Sequence, residues 1–525
     1  MTTQRRTLTV DDRELAALRT PRDGVLLERA VGPDHFELEE GALHHWVRSL
    51  AVESDGNGTH TVTETVDWKL DVPIFWVFVW IPFWFHVRSG MGKSAPWWAP
   101  GGRLDQRAGH VVGLLGTLAL VNGFLGTVIG QTLTFAADEF CGEFETVDGL
   151  RSCIDPAADE SARADVFTIV RIAIVLSLGL TIAADRFGRR SAIRAAVTIS
   201  CVATAAGAIV PSLGLLAVTQ IFARGLATGL AILIAVVAAE ELPPKSRAYG
   251  ISVLVLLAGL GSGMVVWILP LADVAEWGWR LVYATAIVFL PAAFWASSKL
   301  PTTRRFATNT NPSMRAALRE LTTHPLFRRR LALLASAALL AALFATPASQ
   351  FDNQYLRDEL GFSATRISLF TLVTSTPVGL GVLAGGMLAD RVGRRPIGAL
   401  GTAIGAALML WSFFASGLPL WFIRAGGTIL GSGLAIPALG VYGPELFPTR
   451  LRSSANGLII AAGVIGSVIG LQVVGRLAER WDAFGPALAV MVFGPALVVV
   501  MLLTLYPETA NQTLETINDE PELAD

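Results

Sequence analysis

GGMLADRVGRRP, residues 385–396, follows about twenty apolar residues, and a near copy, TIAADRFGRRS, occupies 181–191 after another such run. The two copies place Asp185 and Asp390 205 residues apart. A second pair repeats the offset: EELPPKSR (240–247) and ELFPTRLR (445–452) put Glu240 205 residues before Glu445, and Arg247 205 before Arg452. Two coincidences at one offset indicate a duplication, so the bulk of the chain reads as two similar halves.

Working outward, the 525 residues are 52% hydrophobic and 16% charged, with a mean hydropathy of +0.53. A soluble chain carries about a quarter charged residues. A helix needs roughly 20 apolar residues to cross about 30 Å of hydrocarbon. Twelve such runs are expected near 110–136, 165–184, 191–210, 213–239, 248–270 and 279–299, then 329–350, 367–389, 397–416, 419–441, 454–476 and 483–506. The fold class is an all-α polytopic membrane protein of two six-helix pseudo-repeats, 108–300 and 329–506. A basic central loop, 301–328, separates them, and a tail, 507–525, follows. Lys and Arg cluster after spans 2, 4, 6, 8 and 10, while the loop after span 1 is acidic, from Asp138 to Glu160. The bias toward positive charge inside then puts both termini in the cytoplasm of a plasma-membrane protein. The first residues hold no apolar core, so no cleavable signal peptide is expected.

Residues 1–71 carry fourteen Asp/Glu against eight Lys/Arg. HTVTETVDWKLDV (60–72) alternates with period 2, and DGNG (55–58) separates it from HHWVRSLAV, which predicts a β-hairpin in a small cytoplasmic extension. VPIFWVFVWIPFWF, 72–85, is too short to span, holds two prolines, and reads within 72–107 as an aromatic interfacial element; a thirteenth span is the alternative. Cys141 and Cys153 share the outer acidic loop, where an oxidising environment allows a disulfide. Cys201 lies mid-span. Three cysteines and seven scattered histidines make no metal site, no cofactor is expected, and a net charge of −2 gives no case for nucleic acid.

The repeated loops resemble those of the major facilitator superfamily. Gly386 through Asp390, Arg391, Gly393, Arg394 and Arg395 match the family's loop motif, whereas in the first copy the leading glycine is Thr181. The ending Pro507-Glu508-Thr509 with Leu514-Glu515 is similar to that of sugar porters, but SSKLPTTRRF after span 6 lacks their motif. The resemblance implies a transporter that works by alternating access. Physically, Gly188 and Gly393 permit a tight turn. Asp185, Arg186, Arg189, Arg190, Glu240 and Arg247, with Asp390, Arg391, Arg394, Arg395, Glu445 and Arg452, place opposite charges at one membrane level. They are expected to form a cytoplasmic gate that closes and breaks as the halves rock.

In such folds the solute sits near the midplane between the halves. Polar groups inside spans are the candidates: Asn122, Gln131, Arg171, Arg224, Gln350, Asn353, Arg424 and Gln472. Arg224, in FARGLATG, resembles the superfamily's span-4 arginine motif. No Asp or Glu is expected deep in any span, which argues against proton symport through a midplane carboxylate. Embedded arginines without acids point to an anionic solute. The expected function is secondary or facilitative transport of a small polar solute, a sugar or an organic acid, by a lipid-embedded monomer, with protons as an optional coupling ion. An exporter of the same fold is an alternative, from Gly250, Gly259 and Gly263 in span 5; so is a nutrient sensor using the N-terminal extension. An enzyme would need a nucleophile with its base, a metal set or an acid pair at usable spacing, and the sequence offers none.

Overall fold

The computed structural model describes residues 2–54, 58–91, 96, 98–100, 103–142, 144–147, 150–153, 155, 159–243, 246–301 and 314–510. Lys245, Arg304, Arg305 and the Leu514-Glu515 pair lie outside them, as do the side chains of Cys153, Asp185, Arg186, Arg247 and Asp390.

Among the described residues, ten helices are long and apolar enough to cross a membrane. In chain order they are span 1 (Gln106–Phe140), span 3 (Arg189–Ile209), span 4 (Leu213–Ala238), span 5 (Tyr249–Asp273), span 6 (Trp279–Lys299), span 7 (Pro325–Glu359), span 8 (Ala364–Ala389), span 10 (Gly417–Gly440), span 11 (Ser454–Trp481) and span 12 (Phe484–Thr504). Helices also occupy the two remaining expected positions. Span 2 is a pair, Glu160–Ile172 and Ile174–Phe187, broken at Ala173, and span 9 is Arg394–Ser412. Side-chain oxygens cap the starts of several spans: Asp105 accepts from the Ala108 N–H, Ser212 from Leu215 and Asp159 from Ala162. The outward faces are apolar and exposed, as at Val288, Leu380 and Phe422, which is the surface a bilayer covers.

Small residues set the closest crossings. A Cβ at Gly261 of span 5 would overlap the Leu120 carbonyl of span 1, and one at Gly466 of span 11 would overlap the Leu339 carbonyl of span 7. These glycines are again 205 apart, so the duplication governs packing as well as loops. The span-5 glycines of the exporter reading do not share this role: Gly259 and Gly263 face open space.

The N-terminal region is larger than the expected hairpin. The hairpin is there, as β4 (Leu43–Ser54) and β5 (Thr59–Leu70), but β1 (Thr2–Asp11), β2 (Leu27–Gly32) and β3 (His35–Glu40) complete a five-stranded antiparallel sheet, ordered β1-β5-β4-β3-β2. A short helix, α1 (Asp12–Leu18), follows β1 through an Asp11/Glu14 capping box. The aromatic segment becomes α2 (Trp76–Arg88), which lays Phe83 on Trp46 and Trp68. Sheet and aromatic helix therefore form one packed unit, where the sequence reads as two segments divided at residue 71. At 13 residues the aromatic helix is shorter than a bilayer crossing needs, and Ile81 and Phe85 on it remain exposed. The chain joining sheet and helix runs along the start of span 1: Ala42 lies against Gly109, Pro73 against Gly113 and Phe75 against Gly116.

Candidate functional site

The repeated loops are built alike. Gly188 and Gly393 have φ of 89° and 122°, a region open to glycine and strained for other residues. After each turn the next helix starts, and its first or second arginine reaches a glutamate at the end of a later span. Arg189 pairs with Glu240, and Arg394 pairs with Glu445. Both members of the two pairs are 205 apart, so this ion pair is itself duplicated. Each lies within one half. In the second half, Glu508 accepts from the backbone N–H groups of Arg394 and Arg395 at 2.9 and 3.2 Å, placing an anion at the N-terminus of span 9. Burial alone raises the Glu508 pKa, but the N–H groups of Arg394, Ala510, Arg395 and Thr509 outweigh it and leave the group below its ordinary value. Arg395 donates to the Leu502 and Leu503 carbonyls, and Arg190 to that of Ser298. Arg391 is exposed, and the buried Nε of Arg452 has no partner.

The opposite, acidic end is where the halves meet. Among described residues, every hydrogen bond and ion pair joining the two halves lies there. Arg163, at the start of span 2 and 1% exposed, bridges Asp358 of span 7 at 2.6 Å and Asp138 of span 1 at 3.4 Å. Asp138 also takes Arg357 at 2.5 Å, and that guanidinium covers the Phe135 ring at 4.6 Å. Two acids and two arginines thus alternate in one network. Around it, Asn353 Nδ2 donates to Gln131 Oε1 at 2.9 Å, and Gln472 Nε2 donates to Asp165 and Thr168 at 2.8 and 2.9 Å. Asp273 accepts from the N–H groups of Ala364 and Thr365, both at 2.7 Å, at the start of span 8. Three of the expected solute contacts, Gln131, Asn353 and Gln472, are therefore engaged in joining the halves. Cys141, which caps the end of span 1, is disulfide-bonded, and Cys201 in span 3 is free and buried.

Between the two ends, the polar groups divide by half. Arg171 lies eleven residues into its helix of span 2, and Arg224 eleven residues into span 4. At 1.5 Å per residue both sit about 16 Å below the acidic end, near the middle of a 30 Å layer. They come within electrostatic reach of each other where the Ala173 break of span 2 meets Gly225. Neither guanidinium has an ion-pair partner among the described residues. Asn122 Oδ1 and Gln350 Oε1 are likewise buried without a partner.

Arg424 in the second half differs. It does not extend outward; its Nη2 lies 2.6 Å from Oδ1 of Asp352 in span 7, its Nη1 donates to Met409 Sδ at 3.0 Å, and the Phe370 and Phe413 rings flank it at 5.8 and 5.3 Å. A π-helical turn, Gly427–Ser432, follows directly and widens the helix beside the pair. Asp352 corrects the expectation that no acid lies deep in a span. It stands seven residues inside the end of span 7, because the helix continues to Glu359, past the point where the apolar run stops.

Comparison with known proteins agrees with this architecture. The family described as Major Facilitator Superfamily matches residues 165–353 and 350–521. A cis,cis-muconate transport protein of Acinetobacter baylyi is 26% identical over 317 residues, covering 57% of this chain and 73% of its own. An ectoine/proline transporter of Corynebacterium glutamicum is 28% identical over 284 residues, 47% of this chain and 54% of its own. Among solved structures, the inward-open xylose transporter XylE from E. coli shares the fold with a TM-score of 0.59 at 17% identity, covering 78% of this chain and 98% of that one. The nucleoside transporter NupG does so at 0.60 and 14% identity, covering 75% of this chain and all of that one. The duplicated loops, the paired halves and these matches together make the chain a multi-pass membrane transporter that belongs to the major facilitator superfamily.

Proposed function

We propose that this transporter carries a small organic acid, bound as its anion between the halves at Arg171 and Arg224, with Asn122 and Gln350 as polar neighbours. The observation that carries the reading is the pair of midplane arginines without a counter-ion among the described residues. A guanidinium in a low-dielectric site is costly unless a charge meets it, and two close together double that demand. A carboxylate solute supplies it and gains bidentate recognition. The relative named for muconate transport, itself a dicarboxylate carrier by name, is consistent with this class.

The conformation is read as open to the cytoplasm and sealed outside. The positive-inside bias assigns the basic end to the cytoplasm, and the inter-half network lies at the other end. On this reading the chain rocks as a monomer. The Arg163–Asp358–Asp138–Arg357 network seals the outer side in one state. The basic loops brace each half through Arg189–Glu240 and Arg394–Glu445, and they close against each other in the opposite state. Any proton coupling runs through Asp352, the membrane-embedded acid, whose affinity for a proton depends on how tightly Arg424 holds it.

A neutral sugar is the second reading, favoured by the orphaned amide oxygens of Asn122 and Gln350, which suit hydroxyl donors. Uptake into proteoliposomes, with a panel of dicarboxylates, aromatic acids, sugars and organic cations and with or without a proton gradient, separates the two. The proposal expects uptake of an acid, competition by other acids only, and at least a tenfold loss in Arg224→Gln with unchanged thermal stability. Uptake of sugars alone, indifferent to Arg224→Gln, would overturn it.

A further inference from the structure

A cavity of about 780 Å³ lies outside the bundle, in the N-terminal unit. β1, α1, the 20–26 loop, Arg48 of β4 and the end of α2 wall it. Its volume falls within the roughly 300–1,000 Å³ of small-molecule sites. Part of the wall is apolar, from Leu8, Leu18, Val25 and Met91; part is cationic, from Arg22 and Arg48, with His86 beside them.

The charges behind this wall do not balance. Glu64 is shared by Arg6 and Arg22, each at 2.6 Å, and by Arg48 at 3.7 Å, while Arg48 holds Glu28 at 2.6 Å. Glu28, Glu64 and Arg48 are at most 2% exposed. Three guanidiniums thus face two carboxylates, with Arg6 a quarter exposed and Arg22 14% exposed at the cluster's edge, and a surplus charge held partly out of water is costly unless something neutralises it. Arg22 stands out: its Nη2 holds the shared Glu64, while its buried Nη1 has no hydrogen-bond partner among the described residues. Burial, then the nearby Arg22, lowers the His86 pKa, so the imidazole is neutral at pH 7 and adds no competing charge. The remaining acids on the wall are engaged elsewhere: Glu14 caps α1, and the largely exposed Asp23 binds Arg103 at 2.6 Å.

We propose that this cavity is a second, non-transport site for a monocarboxylate with an apolar body, such as an aromatic acid, its carboxylate held by the Arg22 guanidinium and its body against Leu8, Leu18, Val25 and Met91. The site stands independently of the solute proposed for the bundle. The Asp23–Arg103 contact ties its loop to the segment entering span 1, which gives occupancy a route to the transporter.

The test is isothermal titration of the full-length detergent-solubilised protein with benzoate and phenylacetate, and with neutral benzyl alcohol as control. It is run in the wild type and in Arg224→Gln, which disables the bundle site. The proposal expects saturable binding of at least one acid in both backgrounds and none of the alcohol. Arg22→Gln should weaken it at least tenfold, and so should Leu18→Trp, which fills the cavity and leaves the charge cluster intact should Arg22→Gln misfold. Absence of acid binding to the wild type, its loss in Arg224→Gln, equal binding of the alcohol, or full binding in both N-terminal variants would each overturn it.

Discussion

Arg224 and Arg424 both lie inside the bundle, one in each half, yet among the described residues Arg424 has a counter-charge and Arg224 has none. Its partner Asp352, a sulfur and two aromatic rings fill its surroundings. Arg224 has Arg171 for company instead. A buried charge met by an opposite one within the protein serves that half's own structure, even though the buried Nε of Arg424 finds no hydrogen-bond partner among the described residues. On the function proposed above, a buried charge without such a partner is open to a solute. The same residue type thus reads as architecture in one half and as recognition in the other. The two ends of the molecule differ in the same spirit: the duplicated pairs at the basic end stay inside each half, whereas the acidic end adds, beside pairs such as Arg280–Glu139 within the first half, the pairs Arg163–Asp358 and Arg357–Asp138 that join the halves.

The sharpest way to break the comparison is to remove the partner that Arg224 lacks. Asp352→Asn strands Arg424, and removing one member of a buried pair typically costs about 3–5 kcal/mol. A fall in apparent Tm of the detergent-solubilised protein by many degrees is expected, with most of it recovered in Asp352→Asn combined with Arg424→Leu, which leaves no charge to strand. Arg224→Gln should move Tm little or upward while uptake collapses. Equal destabilisation by Asp352→Asn and Arg224→Gln would abolish the distinction between the halves.

A second perturbation acts on the ends. Arg163 bridges both halves and is almost wholly buried, so Arg163→Gln leaves Asp358 and Asp138 facing each other without it. The state sealed at the acidic end should lose about 2–3 kcal/mol relative to the opposite state, enough to shift a two-state population by more than tenfold. Alkylation of single cysteines placed beneath the network should accelerate accordingly. By contrast Glu240→Gln, which breaks a pair inside one half, should change that alkylation rate little.

Much of this was legible in the chain. The twelve apolar runs and the 205-residue offset gave the duplicated bundle, because hydrophobicity and tight-turn glycine are local properties. Arg189, Arg394, Glu240 and Glu445 stood out for the same reason: each lies in a short motif written twice. The network that joins the halves at the acidic end was not legible. Arg163 and Asp358 are 195 residues apart and belong to no repeated motif, so only the folded arrangement brings them together. Asp352 was legible as part of the polar end of span 7 but its depth was not, because after a bend at Phe351 helical turns resume and run on to Glu359. The N-terminal sheet was half visible. The β4–β5 hairpin alternates cleanly, but β1 pairs with β5 across some fifty intervening residues, and Glu64 interrupts the buried face with a carboxylate whose partners, Arg6 and Arg22, lie far away in sequence.

The smallest effect tests whether the two basic loops are as alike as their motifs. In the second half Glu508 places its carboxylate on the first N–H groups of span 9, an interaction worth about 0.5–1 kcal/mol. Its folded pKa lies below the ordinary glutamate value of about 4.3. A carboxylate with a depressed folded pKa contributes stability that is complete above the unfolded value and is lost as pH falls through the folded one. The wild type should therefore exceed Glu508→Gln in Tm by roughly 1–3 °C at neutral pH, the shift a contribution of that size gives in a large chain. The gap should hold down to about pH 5 and close below about pH 4. A gap that stayed constant through that window would mean that the side chain acts by packing, and the anion at the start of span 9 would have no part in holding the loop.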